Sequence, residues 1–208
     1  MPKIVDPGER RRAVTEAVFR LIDREGLEKV SLRNVAAEAG LAVGSVRHYF
    51  TDHAELMVFA MQAMRERLTR RLVAHADRLL DPAAGVAAPA ERRAAVERML
   101  AELLPLDEER RRETVVWLAF VTAARTRPEL QRHVSELYDG TLALVTRVLD
   151  GARQAGRLAE GADVPLEARR LCALLDGLAT QGVLHPGRLV PADMLGVLRR
   201  HLDTLVAD

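Results

Sequence analysis

At 208 residues the chain fits one large domain or a small domain joined to a larger one, and it is long enough to bury a core. Hydrophobic residues make up 49% of it but aromatics only 3%, so that core must be built from Leu, Val and Ala, which favours packed helices over sheets. Lys and Arg total 31 against 30 acids, which excludes bulk positive charge as the basis of nucleic-acid binding; any such binding must rest on where charges are placed.

Residues 1–7 hold two prolines and no periodicity and read as a flexible arm. From Gly8 to about Glu25 a helix is predicted by Val14, Val18, Leu21 and Ile22, and Gly26 ends it. Arg10, Arg11 and Arg12 at its start have two readings, a solvated face or a set of phosphate contacts. Ser31–Phe50 then spells two short helices around a glycine turn. Leu32, Val35, Ala36 and Ala39 fall at i, i+3, i+4 and i+7, with Ser31 placed to cap the helix and Gly40 to stop it. In the second helix, about Val43 to Phe50, Val46 and Phe50 are an i, i+4 core pair. Gly44, Ser45, Arg47 and His48 are left to face outward, residue types suited to a recognition helix in the DNA major groove.

Thr51 or Asp52 can cap a long helix from about His53 to Leu80, in which Leu56, Phe59, Ala60 and Ala63 keep helical spacing. Its Met57, Met61 and Met64 read as core filling or as an adaptable ligand surface. DPAAGVAAPA, residues 81–90, is a predicted loop. Further helices are predicted over Glu91–Leu104, Glu108–Thr126, Pro128 to about Gly156, Pro165 to about Val183, and Pro191 to about Leu205, with residues Val115–Ala124 apolar on nearly every side and so expected to be buried all round. No strand alternation and no internal repeat interrupt the pattern. The fold class expected is all-α.

The single cysteine, Cys172, rules out an internal disulfide and lies on an apolar helical stripe, where it reads as a small buried hydrophobe rather than a nucleophile. With neither a charged-then-apolar leader nor a long apolar run, a soluble, cytoplasmic protein is expected. The six histidines show no H-x-x-x-H or H-E-x-x-H spacing, and neither G-x-S-x-G nor a P-loop is present, so no enzyme, metal site or cofactor is called for.

The stretch SLRNVAAEAG, followed by a turn and G-S-V-R-H-Y-F, closely resembles the N-terminal signature of the tetracycline-repressor (TetR) family in order, spacing and position. The resemblance continues in WLAFVTAARTRPEL and LLDGLATQGVLHPGRLVP. It implies a helix-turn-helix domain over residues 1–52 and a helical ligand-binding and dimerisation domain over 53–208. It also implies DNA contacts from Arg33, Val43, Gly44, Ser45, Arg47, His48, Tyr49 and His53. Arg33 or Arg47 suits a bidentate contact to guanine, while Ser45 and Tyr49 suit phosphates. Three positions depart from the family's habit. Ala42 stands where Ser or Thr commonly caps the recognition helix, a loss of about 1 kcal/mol. His53 stands where a lysine commonly clamps phosphate, and Arg47 where an aromatic is frequent.

Leu195, Leu198, Leu202 and Leu205 form a heptad-like seam, and Leu171, Leu174, Leu175, Leu178 and Ala179 a second stripe. These are core within one subunit or, as the resemblance implies, a four-helix dimer interface, for which Leu171, Leu175, Leu178, Leu195, Leu198 and Leu202 are the candidates. The resemblance further implies a homodimer that binds a palindromic double-stranded DNA operator as a repressor and is released by a small molecule. Candidates for its pocket are Met61, Met99, Trp117, Phe120, Thr122, Tyr138, Asp176 and Gln181, each also readable as packing. So few aromatics make a cationic cage hard to build, so an apolar or amphipathic effector is expected. An activator of the same fold and a helical interaction protein are the alternatives, but the second leaves Ser31–Phe50 unexplained.

Overall fold

The computed structural model describes the backbone of residues 7–80 and 89–206 and the side chains of 8–75 and 90–206. Its helices are α1 (Pro7–Glu25), α2 (Leu32–Glu38), α3 (Val43–Tyr49), α4 (His53–Leu80), α5 (Pro89–Ala101), α6 (Glu108–Ala124), α7 (Pro128–Gln154), α8 (Val164–Leu184) and α9 (Pro191–Asp203), with a short 3-10 turn at Leu27–Lys29. Only an isolated antiparallel bridge, Leu158 to Val206, interrupts the all-α pattern among the described residues. The flexible arm lies outside the described residues but for Pro7, which opens α1. The loop over 81–90 likewise lies outside them except Pro89 and Ala90, which belong to α5.

The chain packs as two compact units, Met1–Glu66 with Val115–Val134, and Arg67–Thr114 with Ser135–Asp208. In the first, the expected stripe of α1 is buried together with Val35, Ala36, Val46, Phe50, Leu56 and the methionines Met57, Met61 and Met64. The trio is therefore part of this core. Of residues Val115–Ala124 only Val116, Phe120 and Ala124, at i, i+4 and i+8, are fully buried. The expectation of burial on all sides is thus corrected: apolar composition has no direction, and one stripe of α6 does the packing while its neighbours stay half exposed.

The second unit is cored by Leu72, Met99, Leu100, Leu104, Val145, Leu149 and the inward stripes of α8 and α9. Helix α8 starts as its sequence dictates, with Asp163 accepting a hydrogen bond from the Leu166 amide at 3.1 Å and Pro165 in the first turn. At Gly182 a Cβ would stand 2.8 Å from Pro105 Cγ and 2.9 Å from Met194 Sδ, so glycine sets how closely α8 approaches its neighbours. Polar ties reinforce the packing. Arg71 of α4 donates from Nε to Glu102 at 3.0 Å and from its terminal nitrogens to Glu113 of α6 at 2.5 and 3.2 Å, pairing a buried carboxylate that would otherwise be costly. Burial, with the Asp176 carboxylate adding to it, pushes the Cys172 thiol up to about 11, which leaves it protonated and inert. No described helix is long and apolar enough to cross a membrane, and no group of three His, Cys, Asp or Glu among the described residues is placed to hold a metal ion.

Candidate nucleic-acid interface

The two short helices of Ser31–Phe50 are held by local bonds that their sequence supplies. Ser31 Oγ accepts from the Asn34 amide at 3.1 Å and caps α2. At the other end Gly40 takes φ +67°, and the chain closes with Leu41 N donating to Ala36 O at 2.8 Å and Gly40 N to Ala37 O at 3.2 Å. That is the paired 6→1 and 5→2 bonding of a Schellman cap, which turns the chain sharply into α3. Ala42, the N-cap residue of α3, makes no side-chain cap bond. Seven residues cannot hold a helix alone. Val46 at 0% exposure and Phe50 at 3%, the latter with its ring centroid 5.0 Å from that of Phe59, anchor α3 instead.

With those two side chains buried, Val43, Gly44, Arg47 and His48 are exposed, and Ser45 and Tyr49 flank them half-buried. The His48 and Tyr49 rings meet edge to face with centroids 5.3 Å apart. Arg33 is exposed on α2, and His53, half-buried, is the first residue of α4. Asp52 is the cap there: its Oδ1 accepts from the Glu55 amide at 2.8 Å, while Glu55 accepts from the Thr51 amide at 2.8 Å. All eight predicted DNA-contact residues thus lie on or beside α2, α3 and the start of α4, and none is buried. Gly44 has ordinary helical dihedrals, and a Cβ built on it would meet none of the other described residues within 4 Å. Nothing among the described residues requires a glycine here.

One device in this region escaped the sequence reading. Glu38 at the end of α2 accepts from Arg24 at 2.9 Å and from Arg20 at 2.6 Å, locking α2 onto α1. Arg24 first and Arg20 second hold the Glu38 carboxyl well below the usual range, at about 2. Arg20 and Arg24 at i, i+4 were a visible pair in the sequence, but their acidic partner lies 14 and 18 residues away, beyond any periodic signal. Of the arginines at the start of α1, Arg11 stands over the Phe59 ring at 5.9 Å from its centroid.

The pocket candidates are divided between the units. Met61 and Phe120 are buried in the first, which also holds the half-buried Trp117 and the exposed Thr122; Met99 is buried in the second, where Tyr138, Asp176 and Gln181 are exposed. Of the dimer candidates, Leu171, Leu175, Leu178, Leu198 and Leu202 are 0–7% exposed within the protomer's own core, and Leu195 is half-buried. The strongest leucine stripes pack the protomer itself. The outer face of α8 and α9 carries Leu184, Val190 and Val197 instead, too sparse a pattern to stand out in the sequence.

Comparison with known proteins accords with this geometry. Residues 14–58 match the model of bacterial regulatory proteins of the tetR family, and residues 92–207 that of the C-terminal region of BetI-type transcriptional repressors. The HTH-type transcriptional regulator PksA of Bacillus subtilis is 35% identical over 208 residues, 100% of this chain and 95% of that protein. The HTH-type regulator BetI of Burkholderia thailandensis is 30% identical over 100% of this chain and 98% of its own. A transcriptional regulator from Rhodococcus, known from its crystal structure, superposes with a TM-score of 0.78 at 28% identity, covering 94% of this chain and 95% of its own. The two family matches together span both ends of the chain, and the chain belongs to the TetR family of transcriptional regulators.

Proposed function

We propose that the chain is a homodimeric cytoplasmic repressor without catalytic activity. Residues 1–52 bind a palindromic operator, and residues 53–208 supply dimerisation and the effector site. Each α3 enters the major groove of a half-site, and the two half-sites lie about one DNA turn, roughly 34 Å, apart. Arg47 and Arg33 read guanine edges; Ser45, Tyr49 and His53 contact phosphates. The observation that carries this reading is Gly44. Its missing side chain clears space that none of the described residues fills, on the exposed face of a helix whose opposite face is anchored by Val46 and Phe50. A duplex backbone or base edge is the natural occupant. The effector is an apolar or amphipathic small molecule. It acts by binding more tightly to a conformation whose recognition helices are misplaced for the two half-sites than to the DNA-bound one.

A mobility-shift titration against the DNA flanking its own gene tests this. Binding should weaken steeply as salt rises and should discriminate against unrelated duplex. Gly44→Val should keep parental helix content and lose operator binding. Affinity indifferent to both salt and sequence, or a Gly44→Val chain that binds like the parent, would remove the reading.

A further inference from the structure

Helix α2 ends on Glu38, and the backbone carbonyls of its last turn all find donors. The Ala39, Leu41 and Gly40 amides take those of Val35, Ala36 and Ala37 at 2.9, 2.8 and 3.2 Å. The last, Glu38 O, accepts from Arg20 Nη2 of α1 at 3.1 Å, while Arg20 Nε donates to the Glu38 carboxylate at 2.6 Å. One guanidinium thus grips the backbone and the side chain of the same residue, a fork that fixes direction as well as distance. Arg24, one turn further along α1, takes the other carboxylate oxygen at 2.9 Å and also holds Glu25. With its carboxyl held at about 2, Glu38 is charged throughout the neutral range, so the grip is permanent rather than switched.

The end of α2 in turn directs α3. Between Glu38 and the first residue of α3 stand only residues 39–42, bent by Gly40 at φ +67° and closed by the amide bonds just given. Helix α3 has no side-chain cap of its own, and its anchors Val46 and Phe50 lie on one stripe, which sets the depth of the helix but leaves it free to roll about that stripe. The gripped end of α2 supplies the missing restraint. We propose that Arg20 and Glu38 are positioning residues for sequence reading: without touching DNA themselves, they set the angle at which α3 presents its side chains to base edges. This role rests on the DNA reading above and adds to it what determines specificity. Hydrogen bonds to base edges weaken steeply with misalignment, whereas attraction to phosphates is long-ranged and tolerates a small rotation. Loosening the grip therefore costs operator binding more than it costs binding to unrelated duplex.

Titrating the full chain against the duplex flanking its own gene and against an unrelated duplex of equal length tests this, with the ratio of the two affinities as the readout. Loss of folded protein lowers both affinities by the same factor and leaves the ratio unchanged, so a merely structural role would not move it. Glu38→Gln should lower the ratio at least about tenfold, the equivalent of a lost base contact. Glu25→Gln removes the same charge from the other partner of Arg24 and should keep the parental ratio. Arg20→Lys preserves the charge but replaces the fork with a single ammonium, and it should lower the ratio as well. A parental ratio in Glu38→Gln or Arg20→Lys, or a fall of equal size in Glu25→Gln, would overturn the positioning role. If Glu38→Gln loses helix content, Arg20→Lys decides by the same readout. A parent that does not discriminate between the two duplexes would instead remove the DNA reading itself, so the two failures are distinguishable.

Discussion

On the proposed reading Arg47 and His53 bear on DNA in different ways. Arg47 is exposed on α3 one turn from Gly44, where a guanidinium can present two parallel donors to a guanine edge. Replacing it with alanine should cost about 1 to 3 kcal/mol at one base pair per half-site and leave the others unaffected. His53 sits at the first turn of α4, where the family commonly has a lysine clamping phosphate. His53→Lys should tighten binding to operator and unrelated duplex alike and steepen the salt dependence by about one unit per subunit. Anisotropy titrations on an operator set with single-base changes separate the two; an Arg47→Ala chain that loses affinity evenly across the set would make Arg47 a phosphate contact instead. The local devices of this region were legible in the sequence because each acts within a few residues: the Ser31 cap, the Gly40 stop, and the Val46 and Phe50 anchors. The Glu38 lock was not, since only the fold brings it to Arg20 and Arg24.

Helices are defined in the sequence by periodicity, and their existence and order were readable from it throughout. Which stripe faces what was less so. In α8 and α9 the heptad-like leucines are the protomer's own core, because burying the most apolar stripe inside the chain is the first demand on a helix pair. A charge at Leu198, which is fully buried, would therefore unfold the protomer rather than release a folded monomer. Helix α6 gives the same lesson, with composition that promised burial on every side and packing that uses one. The fit of α8 against Pro105 and α9 is tight at Gly182. Gly182→Ala should lower stability by about 1 to 3 kcal/mol through overpacking, despite alanine's better helix propensity. Chemical denaturation of the two chains measures this, and a Gly182→Ala chain more stable than the parent would show that Met194 gives way freely.

At the scale of the whole molecule the family and the all-α fold followed from one local signature and a run of helical periods. The surfaces joining one molecule to others were harder to read. A pocket is a property of side chains that converge from different helices, and residue type alone does not say which of them do. On the proposed reading, two α3 helices, fixed by a two-fold dimer, read adjacent half-sites from one side of the duplex. Inserting about 5 base pairs, half a DNA turn, between the half-sites of the operator moves them to opposite sides of the duplex without altering either sequence. Titrating the parent protein against the native and lengthened operators should show affinity falling to that of a single half-site, and equal affinity for the two would contradict the claim.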